Sequence, residues 1–433
     1  MKEVVKLGLL GLGTVGGGVV KLLERNGALI AQKLGRPLEI RKILVRDVGR
    51  PRRVKVASSL LTTRADEILL DPEIDIVVEV MGGLEPARTY ILEALRQGKS
   101  VVTANKDLLA VHGKELFAAA ESTGADLLFE ASVGGGIPII HSLKECLAGN
   151  RIRQVIGIVN GTTNYILTKM SDEGWEFGRA LEEAQRLGFA EADPSSDIEG
   201  DDAARKMAIL ASIAFGTRIT YPEVYREGIA RLHPQDLKYA ADLGYAVKLL
   251  GIAREEEEGM VEVRVHPALV PLQHPLASVG GVFNAIFVEG DAVGEAMFYG
   301  QGAGEMPTAS AVVGDIMEAA RNIIQGRRGR IYCTCFNEKA VKPIGNIETR
   351  YYLRMIVKDR PGVLAAIAGV FGERQVSLAS VIQVGMVGEQ AELVFITHRV
   401  REQNLMEALE VLACLPVVNQ VASVIRVEGG AGR

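Results

Sequence analysis

Short apolar runs alternate with amphipathic stretches through the first third of the chain. Residues 5–10, 39–45, 74–80, 100–103 and 126–129 are short runs rich in Val, Ile and Leu, read as strands of a sheet buried on both faces. Between them, 16–26, 88–97 and 108–122 carry apolar residues at helical spacing. Strand-helix alternation of this kind predicts an α/β fold with a parallel sheet covered on both faces.

From about residue 140 to 330 the pattern changes. It predicts helices over 176–187, 201–215 and 309–324, and strands over 261–266, 282–289 and 296–299. A separate α+β domain is expected there, with a sheet that meets another subunit. Four acids in a row, Glu255 to Glu258, precede Gly259 and read as a solvated turn between a helix and a strand. The last stretch reads strand 351–357, turn 359–362, helix 363–373, strands 377–383 and 392–399, helix 403–412 and strand 417–426. That is βαββαβ, a ferredoxin-like unit, followed by a glycine-rich end, 429–433, expected to fray. The expected domains are 1–135, 136–345, with a return segment 305–330 packing on the first, and 350–433.

Composition narrows the classes. A chain of 433 residues is too long for one core. Its 54 acidic and 49 basic side chains give a net charge of -5, with no basic footprint for nucleic acid and no polybasic patch for a membrane. No apolar run approaches a membrane span. Residues 1–6 read as a charged strand, not a targeting leader. Four scattered cysteines, Cys146, Cys333, Cys335 and Cys414, fit a reduced, cytoplasmic protein. Cys333 and Cys335 are expected on one face of a strand, and Cys146 in a core, within the apolar-periodic stretch 139–147. The six histidines form no zinc-type spacing.

Gly11-Leu12-Gly13-Thr14-Val15-Gly16 follows the first strand and opens the first helix. In this setting Gly11 permits the turn, Gly13 lets a pyrophosphate approach, and Gly16 lets helix and strand pack. The amides of Thr14, Val15 and Gly16 then face phosphate. A bare glycine turn without ligand is the plain alternative. The second strand ends Val45-Arg46-Asp47, with Arg50, Arg52 and Arg53 nearby. Asp47 would suit the ribose hydroxyl of NAD, and Arg46 the 2′-phosphate of NADP. The guanidinium cluster leans the reading to NADP.

Thr103-Ala104-Asn105-Lys106 follows a strand of the parallel sheet, where ligands bind. By itself this could equally be a surface lysine at a helix start. A denser constellation runs from Ala184 to Lys206, with Gly188, Glu191, Asp193-Pro194, Asp197, Gly200, Asp201 and Asp202. Asp202 and Lys206 are four apart and share a helix face. So many acids around a glycine-rich turn call for a nearby cation, a lysine or a substrate ammonium.

The stretch 184–206 meets every fixed position of A-x3-G-[aromatic]-x3-DP-x2-D-[aliphatic]-x-G-x-D-x3-K, and so resembles the homoserine dehydrogenase family over about residues 1–345. The resemblance implies reversible NAD(P)H-dependent reduction of L-aspartate 4-semialdehyde to L-homoserine, in threonine, methionine and isoleucine biosynthesis. It implies Lys206 as acid/base and Lys106 as a second active-site lysine near cofactor and substrate. Glu191 and Asp202 would hold the amino acid through its ammonium, with Asp197 a further candidate. The loop Asn160-Gly161-Thr162-Thr163 would meet the carboxylate. Thr103, Gly188 and the loop Gly302-Ala303-Gly304 would line the cofactor, the last two at its nicotinamide.

The run Glu130 to Pro138 can be a glycine-rich hinge. The resemblance makes it a monovalent-cation loop of sodium type, with the Glu130 carboxylate and the carbonyls of Val133, Gly135 and Ile137 as ligands. The terminal unit resembles an ACT domain through Asp359-Arg360-Pro361-Gly362-Val363-Leu364. That implies an amino-acid effector, threonine in this family, while a dimerisation module without ligand competes. A monofunctional homodimer or homotetramer is expected. Two rival functions stand beside this reading. An aspartate-semialdehyde-type dehydrogenase would need a nucleophilic cysteine, and Cys146 is read as core. A non-catalytic NAD(P)-sensing regulator would bind cofactor without turnover, and the Lys106/Lys206 pair speaks against it.

Overall fold

The computed structural model describes residues 3–256, 259–327, 329, 333–387 and 390–429. Met1 and Lys2 of the opening stretch, Glu257 and Glu258 of the acidic run, and 430–433 of the glycine-rich end lie outside these. The chain forms two compact units. One takes the chain up to Val155 with Arg205–Val224 and Phe283–Lys339; the other takes Ile156–Ala204, Tyr225–Val282 and the chain from Ala340.

In the first unit, six parallel strands lie in the order Leu61–Thr62, Leu38–Leu44, Val5–Leu10, Ile76–Glu79, Ser100–Thr103, Leu127–Leu128. Ile76–Glu79 and Ser100–Thr103 are buried along their whole length, as their unbroken apolar character requires of a sheet covered on both faces. Val5, Leu7, Leu9, Ile76 and Val78 share a core with Val19 and Val20 of the helix Thr14–Leu34 and with Ala309, Val312 and Ile316 of the helix Glu305–Ile324. These two helices come close enough that a side chain on Gly18 would reach 2.6 Å from the Glu305 carbonyl oxygen.

Strand order switches direction at Val5–Leu10, and in such sheets ligands bind at the carboxyl ends beside the switch. Register sets Leu10 level with Glu79, and Glu79 level with Thr103. Gly11, Glu79 and Thr103 therefore crown one edge.

The second unit holds the strands Tyr245–Glu255, Val261–Pro271, Val418–Val427, Glu348–Lys358, Gln390–Thr397 and Leu378–Val387, paired in that order. Only Val261–Pro271 with Val418–Val427 is parallel in this run. The last four strands with the helices Val363–Glu373 and Glu402–Ala413 make the expected βαββαβ unit. Its core gathers Tyr351, Leu353, Met355, Ile367, Phe371, Phe395, Leu405 and Leu412.

Buried ion pairs join this unit to the strands and helix before it. Arg354 grips Asp236 of the helix Pro234–Asp242 at 2.6 and 3.1 Å. Arg264, wholly buried, meets Glu262 at 2.7 Å and Glu428 at 2.6 Å, and Arg426 reaches Glu227 at 2.9 Å as well as Glu402. Charges this deep are tolerated because each has a partner.

Among the longer described elements, four have no counterpart in the pattern reading: the strand Ile152–Ile158, the helix Gly161–Glu173, the helix Pro234–Asp242 and the strand Tyr245–Glu255. The acidic run therefore follows a strand, not a helix. Two cysteine placements also differ from expectation. Cys146 is exposed, because Ser142–Cys146 is a π-helical turn closed by Leu147 N–H on Ser142 O at 2.8 Å. Its wider turn rotates the residue off the apolar face. Cys333 and Cys335 lie in an irregular segment rather than a strand, although both sulfurs line one cavity.

Candidate active site

At the crown of the first unit's sheet, Gly11 has φ +111°, open to glycine alone, and a side chain on it would meet Val80 O at 2.9 Å. A Cβ on Gly16 would lie 2.4 Å from Gly11 O, so the turn closes only with hydrogen there. Over Gly13, by contrast, a Cβ would meet nothing within 4 Å. Gly13 is the N-cap of Thr14–Leu34 and supplies no side-chain acceptor to the first-turn amides. Open space facing helix amides is what a pyrophosphate needs, and the residues present fit a dinucleotide.

Beyond the second strand, Arg46, Arg50 and Arg53 are exposed. Arg52 is turned inward, donating to Arg50 O at 2.7 Å and to Asp47 O. The Asp47 carboxylate accepts from Gly49 N–H at 2.8 Å.

Glu79 ends its strand fully buried, and sequence reasoning passed over it. Its carboxylate accepts from the amides of Met81 at 2.8 Å and Gly82 at 3.1 Å, and from the Thr103 hydroxyl at 2.6 Å. Thr103 Oγ1 in turn accepts from Asn105 N–H at 3.0 Å, and Asn105 Nδ2 donates to Gly83 O at 2.7 Å. Asn105 also caps the helix Lys106–Thr123 through Leu108 N–H. Lys106, half-buried, thus starts a helix whose approach is bonded down on both sides. An acid closing an apolar strand, Ile76-Val77-Val78-Glu79, was the signal available in the sequence.

Lys206 sits half-buried on the helix Asp201–Ala214. Next to it, Arg205 pairs with Asp107 at 3.3 Å and lies 4.5 Å over the Tyr221 ring.

The segment Glu130–Ile137 is buried at Glu130, Val133 and Ile137. Gly134 and Gly135 have φ +74° and +54°, and a Cβ on Gly135 would fall 2.4 Å from Gly302 O. Gly136 N–H donates to Gln301 O at 3.1 Å, so the two glycine loops lie backbone to backbone. Gly304, with φ +124°, caps Glu305–Ile324. Glu130 accepts from Ile140 N–H at 2.8 Å and His141 N–H at 2.7 Å, and burial still pushes its carboxyl up. Asp315, which accepts from Glu130 N–H at 2.8 Å, is pushed well up by burial and by the Glu130 charge. A buried carboxylate is a hard-oxygen donor of the kind an alkali cation takes, and here both its oxygens accept backbone amides.

In the second unit, Asn160 caps the helix Gly161–Glu173, its Oδ1 accepting from Thr163 N–H at 2.8 Å. Its Nδ2 donates both to Asp197 at 2.7 Å and to Asp202 at 2.9 Å. The Thr162 hydroxyl donates to Phe189 O at 2.6 Å, just after Gly188 at φ +77°. Asn160, Asp197 and Asp202 are thus gathered, whereas Glu191 is exposed and outside this bonded set. Arg226 pairs with Asp201 at 2.5 Å, at the start of the helix that bears Lys206.

Residues 11–130 match the family model described as homoserine dehydrogenase, NAD binding domain, residues 138–317 match homoserine dehydrogenase, and residues 351–414 match the ACT domain. The chain is 51% identical over 434 residues to a homoserine dehydrogenase of Mycobacterium tuberculosis (strain H37Rv), with 98% of each chain covered. It is 46% identical over 429 residues to that of Bacillus subtilis, with 99% of each covered. Among solved structures, a homoserine dehydrogenase from Thiobacillus denitrificans superposes with a TM-score of 0.91 at 44% identity, covering 98% of both chains. A hyperthermophilic archaeal homoserine dehydrogenase in complex with NADPH superposes at 0.63 and 29% identity, covering 76% of this chain and 100% of that one.

Proposed function

The chain belongs to the homoserine dehydrogenase family, and on that premise we propose how its residues carry the reversible NAD(P)H-dependent reduction of L-aspartate 4-semialdehyde to L-homoserine. The cofactor, when bound, supplies or receives the hydride. The amides after Gly11 and Gly13, with Thr14, Val15 and Gly16 in the first turn, would hold its pyrophosphate. Thr103 is held by the Glu79 carboxylate, and Gly188, Gly302 and Gly304 would line the nicotinamide.

Lys206 protonates the oxygen that gains charge as the aldehyde is reduced, and Lys106 is the second ammonium stabilising it. Asp202, Glu191 and Asp197 hold the substrate ammonium, and the loop with Gly161 and Thr162 meets its carboxylate. The observation that carries this reading is the single Asn160 amide holding Asp197 and Asp202 at the head of the helix bearing Lys206. Asp202, one turn or roughly 6 Å before Lys206 on the same helix, with Asp197 tied to it through Asn160, makes a cation-binding end beside a proton-donating end.

The finer points extend the proposal. NADP is preferred over NAD through the exposed Arg46. Glu130 with the carbonyls of Val133, Gly135 and Ile137 would hold a sodium-type cation. The domains are 1–135, 136–345 and 350–433, threonine is the effector at the ACT domain, and the protein is a cytoplasmic homodimer or homotetramer. Exposed Met297 and Tyr299 on the strand Gly294–Gln301 support self-association, and among the described residues no helix is long and apolar enough to cross a membrane.

Steady-state kinetics with L-homoserine and with L-aspartate 4-semialdehyde, using NADP(H) and NAD(H) in turn, test the reading. Turnover with both substrates and a higher kcat/KM with NADP(H) are expected. Cofactor binding without turnover of either would overturn it. Equal efficiency with both cofactors in the native enzyme would remove Arg46 from a 2′-phosphate site.

A further inference from the structure

The first unit holds a second group of reactive side chains, built around Cys333 and Cys335. They line a cavity of about 30 Å³ with Lys144, Arg218, Phe117, Phe129 and Ser212. Arg218 Nη2 lies 3.0 Å from Cys333 Sγ. Gly113 leaves room for Arg218, since a Cβ there would come within 2.9 Å of its guanidinium. Lys144 Nζ stands 5.2 Å over the Phe129 ring and 5.7 Å over that of Phe117. Cys333 is partly accessible.

We propose that Cys333 is a peroxide-reactive thiolate and that Cys335 is its resolving thiol, making this cavity an oxidation site. A hydrogen bond from Cys335, opposed by burial but joined by the Cys335 amide and the charges of Arg218 and Lys144, holds the Cys333 thiol down at about 6. Cys335 is pushed up by the same hydrogen bond and by burial, so it keeps its proton. One thiolate beside one thiol is the pairing a two-step oxidation needs. Lys144 is lowered by its own burial while Glu318, Asp315 and Glu145 sustain its charge. A cavity of this volume admits a molecule little larger than water, which favours hydrogen peroxide over bulky oxidants.

In the first step the Cys333 sulfur attacks one peroxide oxygen. The O–O bond breaks, an S–O bond forms, sulfur loses two electrons, and the second oxygen leaves as water after taking a proton. In the next step the Cys335 sulfur displaces that hydroxyl. An S–S bond forms, the S–O bond breaks, and the proton of Cys335 leaves with the hydroxyl as a second water.

Cys146 and Cys414 are the internal controls, since both are more exposed. If exposure decided reactivity, they would oxidise first. At pH 6 a thiol of pKa near 6 is half ionised against roughly 0.3% for an ordinary one, and its lower nucleophilicity gives back about tenfold, leaving about a tenfold advantage. The test treats the full-length protein with sub-stoichiometric hydrogen peroxide at pH 6, alkylates the remaining thiols, and maps peptides by mass. Loss of two hydrogens confined to the peptide containing Cys333-Thr334-Cys335, about tenfold faster than any change at Cys146 or Cys414, is expected. Comparable rates at all four cysteines would overturn the proposal. Cys335→Ser should leave a sulfenic acid on Cys333 that dimedone traps, and absence of that adduct in the folded variant would also overturn it. Arg218→Gln should slow Cys333 oxidation severalfold and leave Cys146 and Cys414 unchanged.

Discussion

Arg205 Nε lies 3.3 Å from Asp107 Oδ1, and each of these residues stands next to a lysine of the proposed chemistry, Lys206 and Lys106. The pair links the helix Asp201–Ala214 to the first turn of Lys106–Thr123. Its side chains keep 23% and 39% of their exposure, so little stability should come from it, within about 1 kcal/mol. What it sets, within the first unit, is the position of Arg205 and Asp107 and so of the adjoining Lys206 and Lys106. Arg205→Met and Asp107→Asn should each lower kcat about three- to tenfold with only a small change in Tm. The double variant should be no worse than either single one. Additive losses would mean that the two residues act apart.

Lys206 itself is tested by removal. Lys206→Ala should leave NADP(H) binding close to native while kcat falls about 100-fold or more, as for loss of a positioned acid. Near-native turnover in that variant would end the assignment.

Asn160 gives a sharper test of the substrate end, because its amide does two tasks at once. Asn160→Asp keeps the helix cap but turns a donor into an acceptor beside Asp197 and Asp202. Three carboxylates would then crowd one point. KM for L-homoserine should rise at least tenfold, and rise further above neutral pH than below it. A KM that is native and flat with pH would show that neither Asp197 nor Asp202 touches substrate.

The patterns that were legible are those set by short-range physics. Ser100–Thr103 and Val363–Glu373 stand where the apolar runs predict them, since each buries its own side chains in the periodicity of its element. The helix Gly161–Glu173 was not legible because its buried face carries Thr162, Thr163 and Asn164 beside Tyr165 and Ile166. Polar residues satisfied by distant partners erase the amphipathic signal. The same reason hides the support of the site. Asp107 and Arg205, or Asn160 and Asp202, are far apart in the chain, and no spacing rule joins them. The signature 184–206 named the acids and the lysine. It could not show that a single asparagine arranges Asp197 and Asp202 while leaving Glu191 exposed.

Acid should loosen the second unit through Glu428. Burial opposes its ionisation, yet Arg264 and Arg254 hold the carboxyl at about 2, with hydrogen bonds at 2.6 and 2.8 Å. A carboxyl lowered on folding contributes stability that is full above its unfolded value, near 4.3. That contribution fades as pH falls toward 2, and is on the order of 3 kcal/mol for a shift of this size. Urea unfolding of the full chain should therefore weaken steeply between pH 4.5 and pH 2 by about this amount relative to Glu428→Gln. The variant should start less stable at neutral pH, with buried arginines lacking a charged partner. Parallel pH profiles for the two proteins would assign the acid sensitivity elsewhere.

The effector reading is best tested without cutting the chain. Removing the tail would strip Asp236 of Arg354 and Arg264 of Glu428, both buried pairs, and would uncover the pairing edge of Val261–Pro271. Loss of threonine response in such a truncation could then reflect unfolding alone. Gly362 offers a local probe. It is the N-cap of Val363–Glu373 at φ +89°, and a methyl added there would meet nothing within 4 Å. Gly362→Ala therefore adds no clash, and its cost is the left-handed backbone, about 1 kcal/mol. That strain falls on the turn where an amino-acid effector would meet backbone amides, far in sequence from Lys106 and Lys206. An effector acts only through unequal affinity for two states. The variant should keep native kcat and KM without threonine and need severalfold more threonine for half-inhibition. Inhibition unchanged in the variant would move the effector away from this turn, and a native enzyme indifferent to threonine would favour the dimerisation reading of the domain.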